Sequence, residues 1–224
     1  MQRGILFDFN GVLVNDEPQH CDALIATLAE YAIPLSRDQY YRDYLGFDDR
    51  ECFRFTFARE GRTADAAAVS AAIERKATHY ERAIRTSLAL VPGAAEFVRA
   101  AVGAGHRLAI VSGALRREID LVLGEAALRD HFEVVIAAED VEACKPDPAG
   151  YDRARRALEL PAAQCVVIED SLPGLAAARA AGLRCAMVTT SHAADLLAAA
   201  DVVWTDLSGR HPDELPWAEA NAVG

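Results

Sequence analysis

The chain has 224 residues, with 23 basic against 34 acidic side chains for a formal net charge of −11, and 52% of its residues are hydrophobic. This composition excludes a disordered chain, because it can fill one sizeable core or a core with a small second domain. The negative charge repels polyanions and no basic run or basic–aromatic stripe is present, so we expect no nucleic-acid partner.

Nothing in the sequence indicates export or membrane insertion. The first residues enter an apolar strand without a basic leader, and no apolar stretch is long enough to span a bilayer. We therefore expect a soluble cytoplasmic protein, and the sequence does not indicate its oligomeric state. The five cysteines are far apart and form no CxxC pair, so we expect reduced core or subsurface thiols at Cys21, Cys52, Cys144, Cys165 and Cys185.

Short apolar runs separated by helical patterns predict the fold. One helical pattern opens with Pro92 and closes with Gly105, and another stops at Gly182. Continuous apolar strands that alternate with helices are typical of an α/β fold with a doubly wound parallel sheet. The six predicted strands lie at 4–9, 107–112, 133–137, 165–170, 184–190 and 201–204.

Residues 16–90 differ from the rest because they contain no convincing strand. Ser36 and Thr63 are plausible N-caps within this segment. We expect an all-helical cap domain inserted over the carboxyl ends of the strands, where open α/β sheets bind ligands. The catalytic core would then comprise 1–15 and 91–224, and the cap 16–90. The helical patterns lie at about 17–32, 37–46, 49–60 and 64–86.

Polar side chains stand at the ends of four predicted strands. Because such ends converge in a parallel sheet, we expect one pocket with three carboxylates, one ammonium and one hydroxyl. Singly, Ser112 could be a helix N-cap, Lys145 a surface lysine, and the acidic pair a cap of the following helix. Four signals at four strand ends favour a common site. In chain order they are Asp8, Ser112 with Gly113, Lys145, and Glu169 with Asp170.

The residue types of this constellation fit phosphoryl transfer. Asp8, Glu169 and Asp170 offer the hard oxygen ligands that Mg²⁺ takes. The cation and Lys145 would neutralise phosphate oxygens, while Ser112 and nearby backbone N–H groups would supply fixed donors. Asp8 is then a credible nucleophile that forms an aspartyl-phosphate.

Four motifs together resemble those of the haloacid dehalogenase superfamily: DFNGVL after an apolar strand, VSG at 111–113, KPDP at 145–148 and VIEDSLPG at 167–174. The last two are most similar to its phosphatase and β-phosphoglucomutase branch, which carries a helical cap after the first motif. The resemblance implies a Rossmann-like core, Mg²⁺ as cofactor, and a backbone carbonyl of residue 10 as metal ligand. The side chains it implicates are Asp8 as nucleophile and metal ligand, Ser112, Gly113 and Lys145 as phosphate binders, and Glu169 and Asp170 as metal ligands.

Position 10 departs from the family's pattern. The phosphatases of the family normally have a second Asp at this position, which protonates the leaving oxygen and later activates water, whereas this chain has Asn10. An amide cannot shuttle a proton, and general acid–base catalysis is worth about 10² to 10⁴ in rate. Four interpretations stay open: a weak phosphatase that prefers good leaving groups, recruitment of Asp16, Glu17 or His20 as the acid, a binder of phosphorylated metabolites without turnover, or an introduced replacement that traps an intermediate.

The favoured function is a Mg²⁺-dependent phosphohydrolase that acts on a small phosphorylated metabolite, attenuated by Asn10. The alternatives are a catalytically impaired phosphometabolite-binding protein and a β-phosphoglucomutase-like phosphotransferase. Dehalogenation is disfavoured because it would leave three carboxylates together without a cation, and the absence of GxGxxG after the first strand argues against an NAD domain. Candidate substrate contacts in the cap, each with a solvated helix face as its alternative, are His20, Arg50 and Lys76.

Overall fold

The central feature of the computed structural model, which describes residues 2–45 and 47–218, is a parallel β-sheet. Six strands of the described residues form it, in the order β3-β2-β1-β4-β5-β6, and all five pairings are parallel. Each strand lies within one of the predicted apolar runs, which confirms the doubly wound α/β fold class. The strands are β1 (Gly4–Phe7), β2 (Arg107–Val111), β3 (Val134–Ile136), β4 (Cys165–Glu169), β5 (Arg184–Val188) and β6 (Val202–Trp204).

The first strand lies in the middle of the sheet. Gly4 is in register with Arg107 of β2 on one side and with Cys165 of β4 on the other. The chain therefore builds outward from β1 through β2 and β3, and then returns to lay β4, β5 and β6 on the opposite side. Such a reversal of strand order leaves a crevice at the carboxyl ends of the two strands that flank it. Residues that directly follow β1 and β4 consequently meet at this crevice.

The chain divides into two compact units, Met1–Asn15 with Ala89–Gly224 and Asp16–Leu88. The first unit contains the sheet with α5 to α8, and the second contains α1 to α4 and is the all-helical insertion. Their assignment as catalytic core and cap, with boundaries at 15/16 and 90/91, stays a prediction. The helices are α1 (Glu17–Glu30), α2 (Arg37–Asp43), α3 (Asp49–Arg59), α4 (Ala66–Thr86), α5 (Ala94–Gly103), α6 (Arg116–Glu125), α7 (Ala149–Ala157) and α8 (Leu172–Ala180).

The helix starts in the insertion follow capping chemistry. Ser36 accepts a hydrogen bond from the backbone N–H of Gln39, whose side chain accepts one from Ser36 in return. The prediction of Thr63 as an N-cap was wrong, because the carboxylate of Asp65 accepts from the N–H of Ala68 at the start of α4. Gly46, the last residue of the predicted helix 37–46, lies outside the described residues.

Burial separates most thiols from solvent. Cys21, Cys52, Cys165 and Cys185 are free and buried, as expected. Cys144 is in no disulfide either but is exposed, so the expectation of a core or subsurface position was wrong there, because the residue lies in the loop between β3 and α7. Within the described chain, no helix combines the length and apolar character needed to cross a bilayer.

Candidate active site

An ammonium joins the ends of β1 and β4. Asp8 directly follows β1, and its backbone N–H continues the ladder to the carbonyl oxygen of Ile168, 2.9 Å away. Lys145 Nζ donates to Asp8 Oδ1 at 2.7 Å and to Glu169 Oε1 at 2.6 Å. The fold thus brings together side chains that are 137 residues apart in sequence.

Three buried carboxylates form a candidate cation site. Asp8, Glu169 and Asp170 each offer an oxygen, and these atoms lie within 4.8 Å of one another. With every group ionised, three carboxylates against the single ammonium of Lys145 leave an excess of two negative charges. Burial of such an excess is costly without a counter-ion. Oxygen donors with this charge fit Mg²⁺, which uses a few carboxylates and completes its octahedron with water and substrate oxygens.

Burial and the charges of neighbouring groups shift the pKa values of the three carboxylates and of Lys145. Burial, with the repulsion of Glu169, raises the pKa of Asp8 to about 7 although Lys145 opposes the shift. Burial and then the charges of Asp8 and Glu169 likewise raise the pKa of Asp170. Burial alone would raise the pKa of Glu169, but Lys145 and several hydrogen bonds outweigh it and lower that pKa. For Lys145, burial would lower the pKa, but the Asp8 and Glu169 carboxylates outweigh it and raise it.

Glu169 is the most heavily hydrogen-bonded of the three carboxylates. Besides Lys145, its Oε1 accepts from the buried hydroxyl of Tyr151 at 2.9 Å. Its Oε2 accepts from the N–H groups of Asp170 and Ser171, at 2.9 and 3.0 Å, and from Ser171 Oγ at 2.9 Å. The N-cap of α8 is Ser171, whose Oγ accepts from Gly174, so the alternative of an acidic cap does not apply.

The residues at the end of β2 meet Asn10. Ser112 Oγ lies 3.4 Å from Asn10 Oδ1, to which it donates, and accepts from the N–H of Ala114 at 3.0 Å. The residue that precedes α6 as its N-cap is Leu115, so Ser112 is not a helix cap. Gly113 is exposed in the loop between β2 and α6. Asp8, Asn10, Ser112, Lys145 and the acidic pair therefore all belong to the sheet unit.

The three predicted substrate contacts of the insertion lie in different environments within their own unit. Lys76 is only 3% exposed, forms an ion pair with Asp49 and lies 2.8 Å from His20 Nδ1. The ring of His20 stacks on Tyr80 with centroids 4.4 Å apart. Arg50 is exposed at the start of α3. A solvated helix face is therefore the wrong description of Lys76, because its ammonium is buried and paired.

Two hydroxyl groups at the site come from residues outside the motifs found in the sequence. Tyr151 lies on α7, with its ring centroid 5.2 Å from Lys145 Nζ, and nothing in its local pattern distinguishes it from a core aromatic. Ser191 follows β5 by three residues and donates to Asp170 Oδ2. Extension of the strand-end rule from the fourth strand to the fifth would have found Ser191.

Comparison with known proteins identifies the family. The family model for haloacid dehalogenase-like hydrolases matches residues 2–182. The chain belongs to this family. It is 32% identical to Protein CbbY of Rhodobacter capsulatus over 96% of this chain and 97% of that protein. It is also 30% identical to the validoxylamine A 7'-phosphate phosphatase of Streptomyces hygroscopicus subsp. limoneus, over 93% of this chain and 95% of the relative.

Solved structures of this hydrolase family share the fold over nearly the whole chain. CbbY from Rhodobacter sphaeroides in complex with phosphate superposes with a TM-score of 0.83, at 28% identity, and covers 93% of this chain and 96% of that one. A mutant of the same protein, with Asn in place of an Asp, in complex with xylulose-(1,5)bisphosphate, has a TM-score of 0.82 at the same identity and coverage. These relatives place the chain in the phosphatase branch of the family.

Proposed function

We propose that this chain is a Mg²⁺-dependent phosphohydrolase that acts on a small phosphomonoester through an aspartyl-phosphate on Asp8, and that Asn10 attenuates its turnover. The observation that carries the proposal is the cluster of Asp8, Lys145, Glu169 and Asp170 at the crevice between β1 and β4. Three close carboxylates suit a cation that also binds phosphate oxygens. Membership in the hydrolase family supports the same chemistry.

Asp8 is the group that would attack phosphorus. One of its oxygens accepts a hydrogen bond from Lys145, so the ammonium favours the ionised form of the carboxylate. The same ammonium would lie beside the phosphate oxygens of a bound substrate. When bound, Mg²⁺ would polarise the phosphoryl group and offset the charge of Asp8 and Asp170. Attack by Asp8 forms a bond to phosphorus as the bond to the ester oxygen breaks, and water then cleaves the acyl phosphate to give inorganic phosphate and free Asp8.

Asn10 determines which esters would be turned over well. The leaving alkoxide of an alkyl phosphate needs a proton as its bond to phosphorus breaks, and an amide does not supply one. An aryl phosphate such as p-nitrophenyl phosphate releases a stabilised phenolate, so it depends less on an acid. We therefore expect the protein to favour esters with good leaving groups.

The proposed substrate class rests on the named relatives and on the net charge of the chain. The named relatives include a phosphatase of validoxylamine A 7'-phosphate and a protein crystallised with xylulose-(1,5)bisphosphate. By analogy, the substrate of this chain is a small phosphorylated metabolite rather than a phosphoprotein or a nucleic acid. The net charge of −11 agrees with this, because it disfavours polyanionic partners.

A second candidate function is the binding of a phosphorylated metabolite without turnover. Asn10 favours it, because the site keeps its phosphate-binding side chains while it lacks the usual acid–base carboxylate. A β-phosphoglucomutase-like phosphotransferase is a less favoured variant, since transfer to a sugar hydroxyl also requires removal of a proton.

The decisive experiment measures phosphate release from p-nitrophenyl phosphate and a panel of small phosphomonoesters, with Mg²⁺ and with EDTA. We expect release with Mg²⁺, loss of release in EDTA, and loss of release in Asp8→Asn. Turnover that survives in Asp8→Asn would contradict the aspartyl-phosphate. Saturable binding of a phosphorylated metabolite by calorimetry, with no release by the parent protein or by Asn10→Asp, would favour the binding function.

A further inference from the structure

The carboxylate of Asp170 has a different partner from those of its two neighbours. Lys145 Nζ donates to Asp8 and to Glu169, and Glu169 accepts four further hydrogen bonds. In the described part of the chain, the side chain that donates to Asp170 is Ser191, through its hydroxyl to Oδ2. Asp170 is 3% exposed, so water has little access to replace that donor.

Ser191 binds one of the two carboxylate oxygens of Asp170. Oδ2 is the oxygen bound by Ser191, and it is also the oxygen of Asp170 nearest to a Cβ built on Gly11. Oδ1 is left as the oxygen without a side-chain donor among the described residues. A carboxylate held by one oxygen in this way has its rotation about the terminal bond restricted, which prepares the second oxygen for a cation.

The loop that carries Ser191 is anchored close to this contact. The N–H of Thr189 donates to the carbonyl oxygen of Trp204 at 3.0 Å, and its hydroxyl donates to Thr205 at 3.2 Å. Both contacts tie the end of β5 to β6, two residues before Ser191. Ser191 itself is exposed, so its hydroxyl is not needed to fill the core.

We propose that Ser191 is a positioning residue that orients the Asp170 carboxylate for the catalytic metal ion. The inference rests on the proposed function only in that Asp170 is taken as a metal ligand. Partners of metal ligands of this kind typically contribute about 10- to 100-fold to metal affinity. Because Ser191 contributes a single hydrogen bond from an uncharged donor, we expect an effect near the lower end, about 10-fold.

The test titrates the whole 224-residue chain with Mn²⁺, a spectroscopic substitute for Mg²⁺, and follows the free ion by electron paramagnetic resonance without any substrate. We expect the dissociation constant to rise about 10-fold in Ser191→Ala and to recover in Ser191→Thr, which restores the hydroxyl. Thr190→Ala is the matched control, because it removes an exposed hydroxyl from the same loop and should leave Mn²⁺ binding unchanged.

Activity gives a second readout that separates positioning from general damage. In Ser191→Ala the concentration of Mg²⁺ needed for half-maximal phosphate release should rise by the same factor, while kcat at saturating Mg²⁺ is retained. Equal Mn²⁺ affinity of Ser191→Ala and the parent overturns the inference, and so does a parent protein that binds no Mn²⁺. Weakened Mn²⁺ binding in a protein that releases no phosphate supports the inference and contradicts the proposed function, so the two failures are distinguishable.

Discussion

The carboxylate of Asp170 occupies the space that a side chain on Gly11 would need. A Cβ built on Gly11 would lie 1.9 Å from Asp170 Oδ2, and the backbone of Gly11 has φ of +74°. The glycine of the first motif therefore serves two purposes, since it permits the turn after β1 and makes room for a carboxylate that follows β4.

Replacement of Gly11 tests this relationship. In Gly11→Ala the new methyl group must displace Asp170, so we expect Mn²⁺ affinity to fall about 10²-fold and phosphate release to fall with it. Gly182→Ala is the matched control, because Gly182 has φ of +69° but nothing within 4 Å of its built Cβ. It should carry the backbone strain of about 1 kcal/mol without the loss of metal binding. Equal metal affinity in the two variants would contradict the argument.

A second motif glycine stands in the same relation to Glu169. A Cβ on Gly174 would lie 1.7 Å from Glu169 Oε1. We expect Gly174→Ala to force Glu169 away from Lys145 and to lower the free energy of unfolding by about 2 kcal/mol or more, measured by urea denaturation. Gly124→Ala in α6, where the built Cβ meets nothing within 4 Å, should be neutral or stabilising, because Ala is the better helix former. Comparable unfolding energies of both variants would show that space beside Glu169 is not limiting.

Restoration of a carboxylate at position 10 should raise turnover. In Asn10→Asp we expect kcat on alkyl phosphates to rise by about 10² to 10⁴, and by much less on p-nitrophenyl phosphate, because the aryl leaving group needs little protonation. Mass spectrometry of the parent must first exclude deamidation, to which the Asn10-Gly11 pair is prone. An equal gain on both ester types would argue against a role as general acid, and no gain would point to another acid.

The carboxylate cluster should destabilise the metal-free protein. Burial and the charges of Asp8 and Glu169 disfavour an ionised Asp170, so its replacement by the isosteric amide relieves repulsion. We expect Asp170→Asn to raise the free energy of unfolding in EDTA at alkaline pH by about 1 kcal/mol or more. Added Mg²⁺ should raise Tm of the parent and not of the variant, by thermal denaturation. A variant less stable than the parent in EDTA would contradict the repulsion.

His106, which lies outside the active site, should make the free energy of unfolding depend on pH. Its ring stacks on Trp217 with centroids 5.1 Å apart, its Nε2 is buried without a partner among the described residues, and burial followed by Arg3 lowers its pKa below 6.5. The unfolded chain then binds the proton more readily than the folded one, so the free energy of unfolding falls as pH falls through 6.5 towards the folded-state pKa.

The variant His106→Phe keeps an aromatic ring against Trp217 and removes the titration. We expect its free energy of unfolding, measured by urea denaturation at several pH values, to change less than that of the parent between about pH 7 and pH 5. An identical pH dependence of the two proteins would exclude His106 as its source.

The sequence by itself determined the sheet and the polar strand ends. Continuous apolar runs such as 165–168 require burial on both faces, which indicates parallel strands between helices, and the strand ends must then converge. Asp8, Lys145, Glu169 and Asp170 could be found this way because their positions follow from chain order and period. The four family motifs identified the fold in a similar way, since three of them lie at the ends of β1, β2 and β4, while KPDP lies in the loop between β3 and α7.

The tertiary structure decided everything that depends on distance between elements. Three features follow from packing and loop geometry, which the local sequence pattern does not encode. Asp65 rather than Thr63 caps α4, Lys76 is buried beside Asp49, and Cys144 is exposed. The hydrogen bond of Ser191 to Asp170 joins the ends of two neighbouring strands. The close approach of Gly11 to the same carboxylate joins segments that are more than a hundred residues apart. Hydrogen bonds and steric exclusion act over a few ångströms, so only the folded chain can specify them.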